Sequence, residues 1–344
     1  MKENGVNTNE LHRTERKLGR FVSPEFLSVG DLSVKENKSN SFSFTDDVIA
    51  KKYKIENKIG EGKFGIVFYG FHQRTKEHVA IKMEYSISPA KLLKNEVSIM
   101  KYLYDHGCRN IPIVHWYGLY KDSLCLVMSF YDCSLHDYIL NKDLPLNKIT
   151  SIMIYAITIL ESIHKNYVLH RDIKPQNFML KEGHLYIIDF GLSTFYIDDK
   201  TEHLPDLGPV NEDILGTPKY VSYNMHEGYS LSRRDDLISL GYMYLYLQYR
   251  VLPWDKLSNC NSLGEINHET HIMHHKNKER RELKKIENII DFYQKKMNTE
   301  SKTEINYSTN NIVDFLDYCY KLNYKDEPKY DLIKELFSKQ EPEF

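Results

Sequence analysis

One run of the chain admits few folds. "VLHRDIKPQNFM", residues 168 to 179, sets His170, Arg171, Asp172, Lys174, Pro175, Gln176 and Asn177 between apolar flanks. Charged groups inside an apolar stretch are costly unless their charge is used. Seven polar or special residues at this spacing between apolar flanks have no ordinary core explanation. Twelve residues beyond Asn177 comes "YIIDFG", in which Asp189 closes another apolar strand. These side chains share a chemistry. Asp172 can accept or orient the proton of an attacking hydroxyl, and Lys174 can neutralise a phosphate as charge moves. Asn177 and Asp189 offer the oxygen ligands that Mg²⁺ prefers.

Upstream, Gly60-Glu61-Gly62-Lys63-Phe64-Gly65-Ile66-Val67 spells G-x-G-x-x-G-x-V. Glycines at this spacing also serve plain hairpins and dinucleotide sites. A dinucleotide fold needs strand, glycines, then helix; here "IVFYGFH" reads as a strand, which favours a phosphate loop between two strands. Lacking Cβ atoms, such a backbone can lie close over a triphosphate. "VAIK" then sets Lys82 inside an apolar strand. Fourteen residues on, Glu96 lies among Leu92, Leu93, Val97 and Met100 on a helix expected to start at Ser88-Pro89. That periodicity points Glu96 inward.

The chain has 344 residues, 41% apolar and 12% aromatic, enough to bury a sizeable core in two lobes. The alternating pattern from Tyr53 predicts a strand-rich lobe over about 53–130, and the helical periodicity after Ser134 a larger lobe over about 134–337. Residues 1–50, polar and aperiodic, read as a disordered arm, and 338–344 as a short tail. A net charge of −2 gives no field for nucleic acid. Five scattered cysteines, none as C-x-x-C, read as reduced thiols. The N-terminus shows no signal-peptide core, and the apolar run Ile149–Leu160 is too short and interrupted to span a bilayer. The expectation is an intracellular protein of cytoplasm or nucleus, monomeric, without membrane or nucleic-acid partners.

In this order and spacing the motifs resemble those of eukaryotic-type protein kinases, over roughly residues 53–337. The resemblance implies an α+β, bilobal fold with ATP in the cleft, Mg²⁺ (Mn²⁺ as an alternative) and protein substrates. It assigns Lys82, held by Glu96, to the α and β phosphates, and the 60–67 loop to the phosphate cover. It places adenine between Ile59, Val67, Ala80, Met179 and Ile188, with Met128 at the back and the backbone of Ser129, Phe130 and Tyr131 as the hinge. Lys174 resembles the serine/threonine class. A pseudokinase usually lacks one of Lys82, Asp172, Asn177 or Asp189, and all four are present.

Most kinases carry Ala-Pro-Glu after the activation segment; here Ser222-Tyr223-Asn224 stands instead. This resembles the Ser-Ile-Asn of the casein kinase 1 group, as do "HGCRNIPIVHWYG", "CSLHDYI", "TFYIDDKTEHLP", "SRRDDLISLGYMYLY", "LPW" and "YCYKLNYKDEPKYDLIKELF". The vaccinia-related kinases are the nearest branch. These C-lobe features argue against a small-molecule kinase. The group is usually active without activation-loop phosphorylation and attracts acidic or phosphorylated substrates. Arg171 and Lys219 remain as anion contacts, whereas two other basic positions read Thr194 and Glu212. The resemblance therefore implies a thin anion site and a mild acidic preference. It also sets the Thr217 hydroxyl beside Asp172 and Lys174, and Asp236 under the H-R-D turn as a brace. Asp235 reads as a surface charge, and the segment at Ser222 as lacking an ion-pair anchor.

Two further stretches invite other readings. "HETHIMHH", residues 268–275, does not have metalloprotease spacing and reads as a solvated insertion. "KNKERRELKK" reads as a solvated helix with internal ion pairs.

Overall fold

The computed structural model describes residues 47–62, 65–84, 92–140, 143–209, 214–258, 277–299 and 303–338. The 268–275 histidines, Glu212, Lys63, Phe64, the Ser88-Pro89 helix start and the arm before residue 47 lie outside them.

The first lobe is an antiparallel sheet in the order β1-β2-β3-β4-β6-β5. Its strands are β1 (Val48–Ile49), β2 (Tyr53–Gly62), β3 (Gly65–His72), β4 (His78–Glu84), β5 (Val114–Tyr120) and β6 (Ser123–Ser129). The sheet thus begins inside the stretch read as a disordered arm. Ile49 pairs with Tyr53 and is fully buried. The connecting turn puts Ala50 and Lys51 in the left-handed region, at φ 51° and 56°, without the Asn-Gly pair that signals such turns.

Cross-strand register sorts this lobe into two faces. Phe68, Ile81 and Val127 face one way, joining Ile49, Ile55, Val79, Met83 and Cys125 in a small core. Val67, Lys82 and Leu126 share the other face, as do Tyr69, Ala80 and Met128. Lys82 therefore stands on the face opposite the small core because strand period is two. Helix α1 (Leu92–Asp105) covers this second face, burying Leu93, Glu96, Val97, Met100 and Leu103 at helical spacing.

The second lobe is mainly helical. After β7 (Cys133–Ser134) come α2 (Leu135–Leu140), α3 (Leu146–Lys165) and β8 (Val168–Leu169). The polar loop of residues 170–174 follows, then a 3₁₀ turn at Pro175–Asn177, β9 (Phe178–Lys181), β10 (His184–Ile187) and β11 (Thr194–Phe195). The hairpin β9–β10 also pairs with β7, and β11 pairs with β8. Next are α4 (Tyr223–His226), α5 (Arg233–Tyr249), α6 (Ile286–Thr299), α7 (Thr303–Lys321) and α8 (Tyr330–Ser338).

Helix α3, at 20 residues, is longer than its apolar run and would suffice by length and composition to cross a bilayer. Its buried side chains, Ile149, Met153, Ala156, Ile157, Leu160 and His164, pack into the lobe's core beside α5 and α8. Helix α5 is buried nearly all round, as the "LISLGYMYLYLQY" run requires.

Candidate active site

The polar loop is held from below. The Asp236 carboxylate, in the first turn of α5, accepts the backbone N–H groups of His170 and Arg171, each at 2.8 Å. His164 of α3 lies 3.0 Å from the same carboxylate through Nε2 and 2.6 Å from the Tyr330 hydroxyl of α8 through Nδ1. All three side chains are buried. Burial alone would raise the Asp236 carboxyl, but these partners outweigh it and hold its pKa below the usual range. The brace also stabilises an uncommon backbone: Arg171 has φ 68°. The Arg171 guanidinium donates through Nε to the Leu192 carbonyl at 2.6 Å, and its burial lowers its pKa to about 10.

On this base the loop's side chains converge. The Asp172 carboxylate receives the Thr217 hydroxyl at 2.7 Å and the Thr217 N–H at 3.1 Å on Oδ1, and the Lys174 ammonium at 2.6 Å on Oδ2. Lys174 also donates to Thr217 Oγ1 at 3.0 Å. The close approach depends on Gly216, at φ 97°, where a Cβ would lie 2.8 Å from the Arg171 carbonyl oxygen. Asn177 donates through Nδ2 to the Asp172 carbonyl at 2.8 Å and to Oδ2 at 3.1 Å, which fixes the amide and turns its Oδ1 the other way.

Opposite this cluster, Lys82 donates to Glu96 at 2.7 Å and to Asp189 at 2.8 Å. Desolvation would lower the Lys82 pKa, but the two carboxylates outweigh it and hold the group above its ordinary value. Glu96 is fully inside the fold, and burial raises its carboxyl despite Lys82. Helix α1 is tied at two further points. Glu84, at the end of β4, accepts the Leu92 N–H at 3.0 Å, capping the helix from the sheet. Asn95 donates to the carbonyls of Gly191 and Ser193 at 3.3 and 2.9 Å, joining the helix to the D-F-G segment. His170 stacks edge-on against Phe190 at 5.0 Å, and Asp189 sits at φ 66°.

The glycines divide into two kinds. A Cβ at Gly65 would lie 2.0 Å from the Met83 carbonyl oxygen, so β3 needs glycine there to approach β4. Among the described residues nothing lies within 4 Å of that position at Gly62, and at Gly60 Val67 Cβ lies at 3.8 Å. The protein's own packing does not demand those two; the open backbone is a cradle that phosphates fit. Glu61 and Ile66 pair across the same turn. Ala80 and Met128 are buried partners on β4 and β6, whereas Val67, Met179 and Ile188 are half-buried and Ile59 is exposed. The rings expected at the hinge touch both lobes: Phe130 meets Tyr69 at 5.0 Å, and Tyr131 meets Tyr186 at 4.7 Å.

The donor set suits a metal that arrives with nucleotide. No cluster of three His, Cys, Asp or Glu occurs among the described residues. Asn177 and Asp189 are drawn together because the Ile188 N–H donates to the Asn177 carbonyl at 2.9 Å. One carboxylate and one amide, with phosphates and water, is the ordinary protein share of a Mg²⁺ site.

Three readings of the sequence need correction. Asp235 is a buried acceptor, not a surface charge: it takes the Ser222 hydroxyl at 2.6 Å, the Asn224 amide at 2.9 Å and the Ser232 N–H at 2.7 Å. The acceptor segment is therefore anchored at Ser222 and Asn224 by hydrogen bonds, and at Glu227 by an ion pair. The "KNKERRELKK" helix is not wholly solvated. Lys284 is completely buried and donates to the carbonyls of Pro218 and Val221, at 3.0 and 2.5 Å, and approaches His226 Nε2 at 3.1 Å. The Tyr242 and Trp254 rings, 5.1 and 4.9 Å away, complete its cage. Arg280 is buried beside it, while Arg281 pairs with Glu227 and Lys285 with Glu282 as expected of a surface. Lys219 is not an open anion contact, since its ammonium meets Asp255 at 2.9 Å. Thr194 lies in β11, paired with Leu169 of β8.

A strand-rich lobe over a helical lobe, with lysine, two aspartates, asparagine and a glycine cradle at their junction, defines a nucleotide-dependent phosphotransferase. The protein kinase domain model matches residues 53–340, and the chain belongs to that family. Membership implies ATP as phosphoryl donor, a divalent metal and protein substrates.

Proposed function

We propose that the chain is an ATP-dependent protein serine/threonine kinase of the casein kinase 1 type, working with Mg²⁺ inside the cell, in cytoplasm or nucleus. The reading rests above all on the Asp172–Thr217–Lys174 triangle, 2.7, 3.0 and 2.6 Å on its sides. A hydroxyl already sits hydrogen-bonded to Asp172 beside an ammonium, which is where an acceptor Ser or Thr would place its own. Asp172 orients that hydroxyl and takes its proton. Lys174 stabilises charge on the transferring group, and Thr217 holds both in place. Lys82 fixes the donor's phosphates, with Glu96 setting its direction. Asn177 and Asp189 would hold the metal, which would neutralise phosphate charge. Little covalent help is needed, because positioning and charge stabilisation carry phosphoryl transfer.

The casein kinase 1 assignment is supported by Ser222-Tyr223-Asn224 and by the buried bonds this segment makes to Asp235. Such an anchor needs no added phosphate. The buried thiols of Cys108, Cys125 and Cys319 fit a reducing compartment.

The test is transfer of labelled phosphate from ATP to an acidic protein, with phosphoamino-acid analysis of the product. Phosphoserine or phosphothreonine is expected, and Asp172→Asn should abolish transfer while still binding ATP. Phosphotyrosine as the sole product, or an Asp172→Asn variant as active as the wild type, would overturn the proposal.

A further inference from the structure

Lys174, Arg171, Lys219, Arg281 and the buried Lys284 border the segment that presents Thr217, and each is engaged within the chain. Lys174 pairs with Asp172, Arg281 with Glu227 at 2.8 Å, and Arg171 with the Leu192 carbonyl. Lys174 sits at the acceptor position itself, and Lys219 follows Thr217 by two residues, a span of at most about 7 Å along the backbone. The Lys219 ammonium meets both oxygens of Asp255, at 2.9 and 3.0 Å, and lies 4.0 Å from the centre of the Tyr246 ring. The counter-ion is rigidly mounted. Asp255 Oδ2 accepts the Leu252 N–H at 2.9 Å, Asp255 opens a 3₁₀ turn, and neighbouring Trp254 donates to the Lys219 carbonyl at 2.7 Å. Lys219 and Asp255 side chains are 26% and 22% exposed, enough for a peptide to reach them.

We propose that Asp255 is a specificity-determining residue that occupies the anion place on Lys219, so that the enzyme takes acceptors without a neighbouring carboxylate or phosphate. This rests on the proposed reading as a Ser/Thr kinase. An incoming anionic side chain must displace a carboxylate already positioned at hydrogen-bond distance, so its attraction to Lys219 is largely cancelled. The mild acidic preference implied by the resemblance is then suppressed by one residue, and the same residue is the place to restore it.

Asp255→Asn tests this, since asparagine keeps an oxygen for the Leu252 N–H and removes the charge. Two acceptor peptides that differ by a single Ser or phosphoserine near the target hydroxyl are compared by kcat/KM. Wild type should show a ratio near unity. Asp255→Asn should favour the phosphorylated peptide by roughly fivefold, the scale of one partly exposed ion pair, and lose that gain at high salt. Adding Lys219→Met should return the ratio to unity, which assigns the gain to the unmasked cation rather than to altered folding. The inference fails if wild type already prefers the phosphorylated peptide tens-fold, if Asp255→Asn leaves the ratio unchanged, or if the double variant keeps the gain. Binding of the same phosphopeptide, followed by fluorescence anisotropy, is the second readout. If wild type phosphorylates neither peptide, the proposed activity is wrong. The anisotropy difference between wild type and Asp255→Asn still decides whether Lys219 is masked.

Discussion

The Ser222 hydroxyl donates to the Asp235 carboxylate at 2.6 Å, linking the end of the acceptor segment to the first turn of α5. Asn224 and the Ser232 N–H share that carboxylate, so one buried group satisfies three donors from two chain segments. Asp235→Ala would strand all three. A loss of about 2–4 kcal/mol in unfolding free energy is expected, with Asp235→Asn losing less, by urea titration. An alanine variant within about 0.5 kcal/mol of wild type would deny the anchor.

The adjacent aspartates should titrate in opposite senses. Burial raises the Asp235 carboxyl above its unfolded value, whereas the His164 and backbone partners of Asp236 lower it despite burial. Asp236 therefore contributes stability that is present above the unfolded value, about 4, and lost as pH falls toward its folded value. Asp235 does the reverse: native protein holds the proton longer, so its contribution weakens as pH rises from about 4 toward its folded value. Unfolding free energies measured across that range should show Asp235→Asn and Asp236→Asn departing from wild type with opposite slopes. Parallel slopes would contradict the assignment.

Gly65→Ala and Gly62→Ala should separate folding from nucleotide binding. A methyl at Gly65 meets the Met83 carbonyl oxygen, so destabilisation above about 2 kcal/mol is expected. At Gly62 the space is open, so stability should stay within about 0.5 kcal/mol while KM for ATP rises severalfold. Equal melting temperatures for the two variants would refute the distinction.

Lys284 is a buried cation whose pKa burial, and then Arg280, push well below the ordinary lysine value. The unfolded chain binds its proton more tightly, so wild-type stability should rise with pH between the folded value and about 10.5. Lys284→Met lacks this rise and leaves the Pro218 and Val221 carbonyls without their donor, at about 1–3 kcal/mol. Thermal melts at about pH 7 and about pH 9 should show the gap between the two proteins widening. A gap that narrows would reverse the sign argued here.

Much of the site could be read from the sequence because its chemistry sits in short-range patterns. Asp172, Lys174 and Asn177 share one loop, and Glu96 sits in an apolar stripe whose period fixes its direction. What could not be read depends on distant segments meeting. Asp235 beside arginines looks like surface until Ser222 and Asn224 fold against it; the Ser232-x-x-Asp235 spacing, a helix-start pattern, was the available hint. The burial of Lys284 comes from carbonyls at 218 and 221 and rings at 242 and 254, which no local pattern in "KNKERRELKK" records. Glu84 caps a helix whose start lies eight residues on.

The Tyr330 hydroxyl, through His164, is part of what steadies Asp236 beneath the catalytic loop. During synthesis the ribosome makes Asp172 long before it makes Tyr330. A nascent chain can thus carry every side chain proposed to act in transfer and still lack a support for the turn that presents Asp172 and Lys174. If this contact is needed for the turn, phosphoryl transfer is expected only once α8 has docked. Ribosome-bound chains stalled before and after α8 emerges would show this as a step in activity; full activity in the shorter set would remove it.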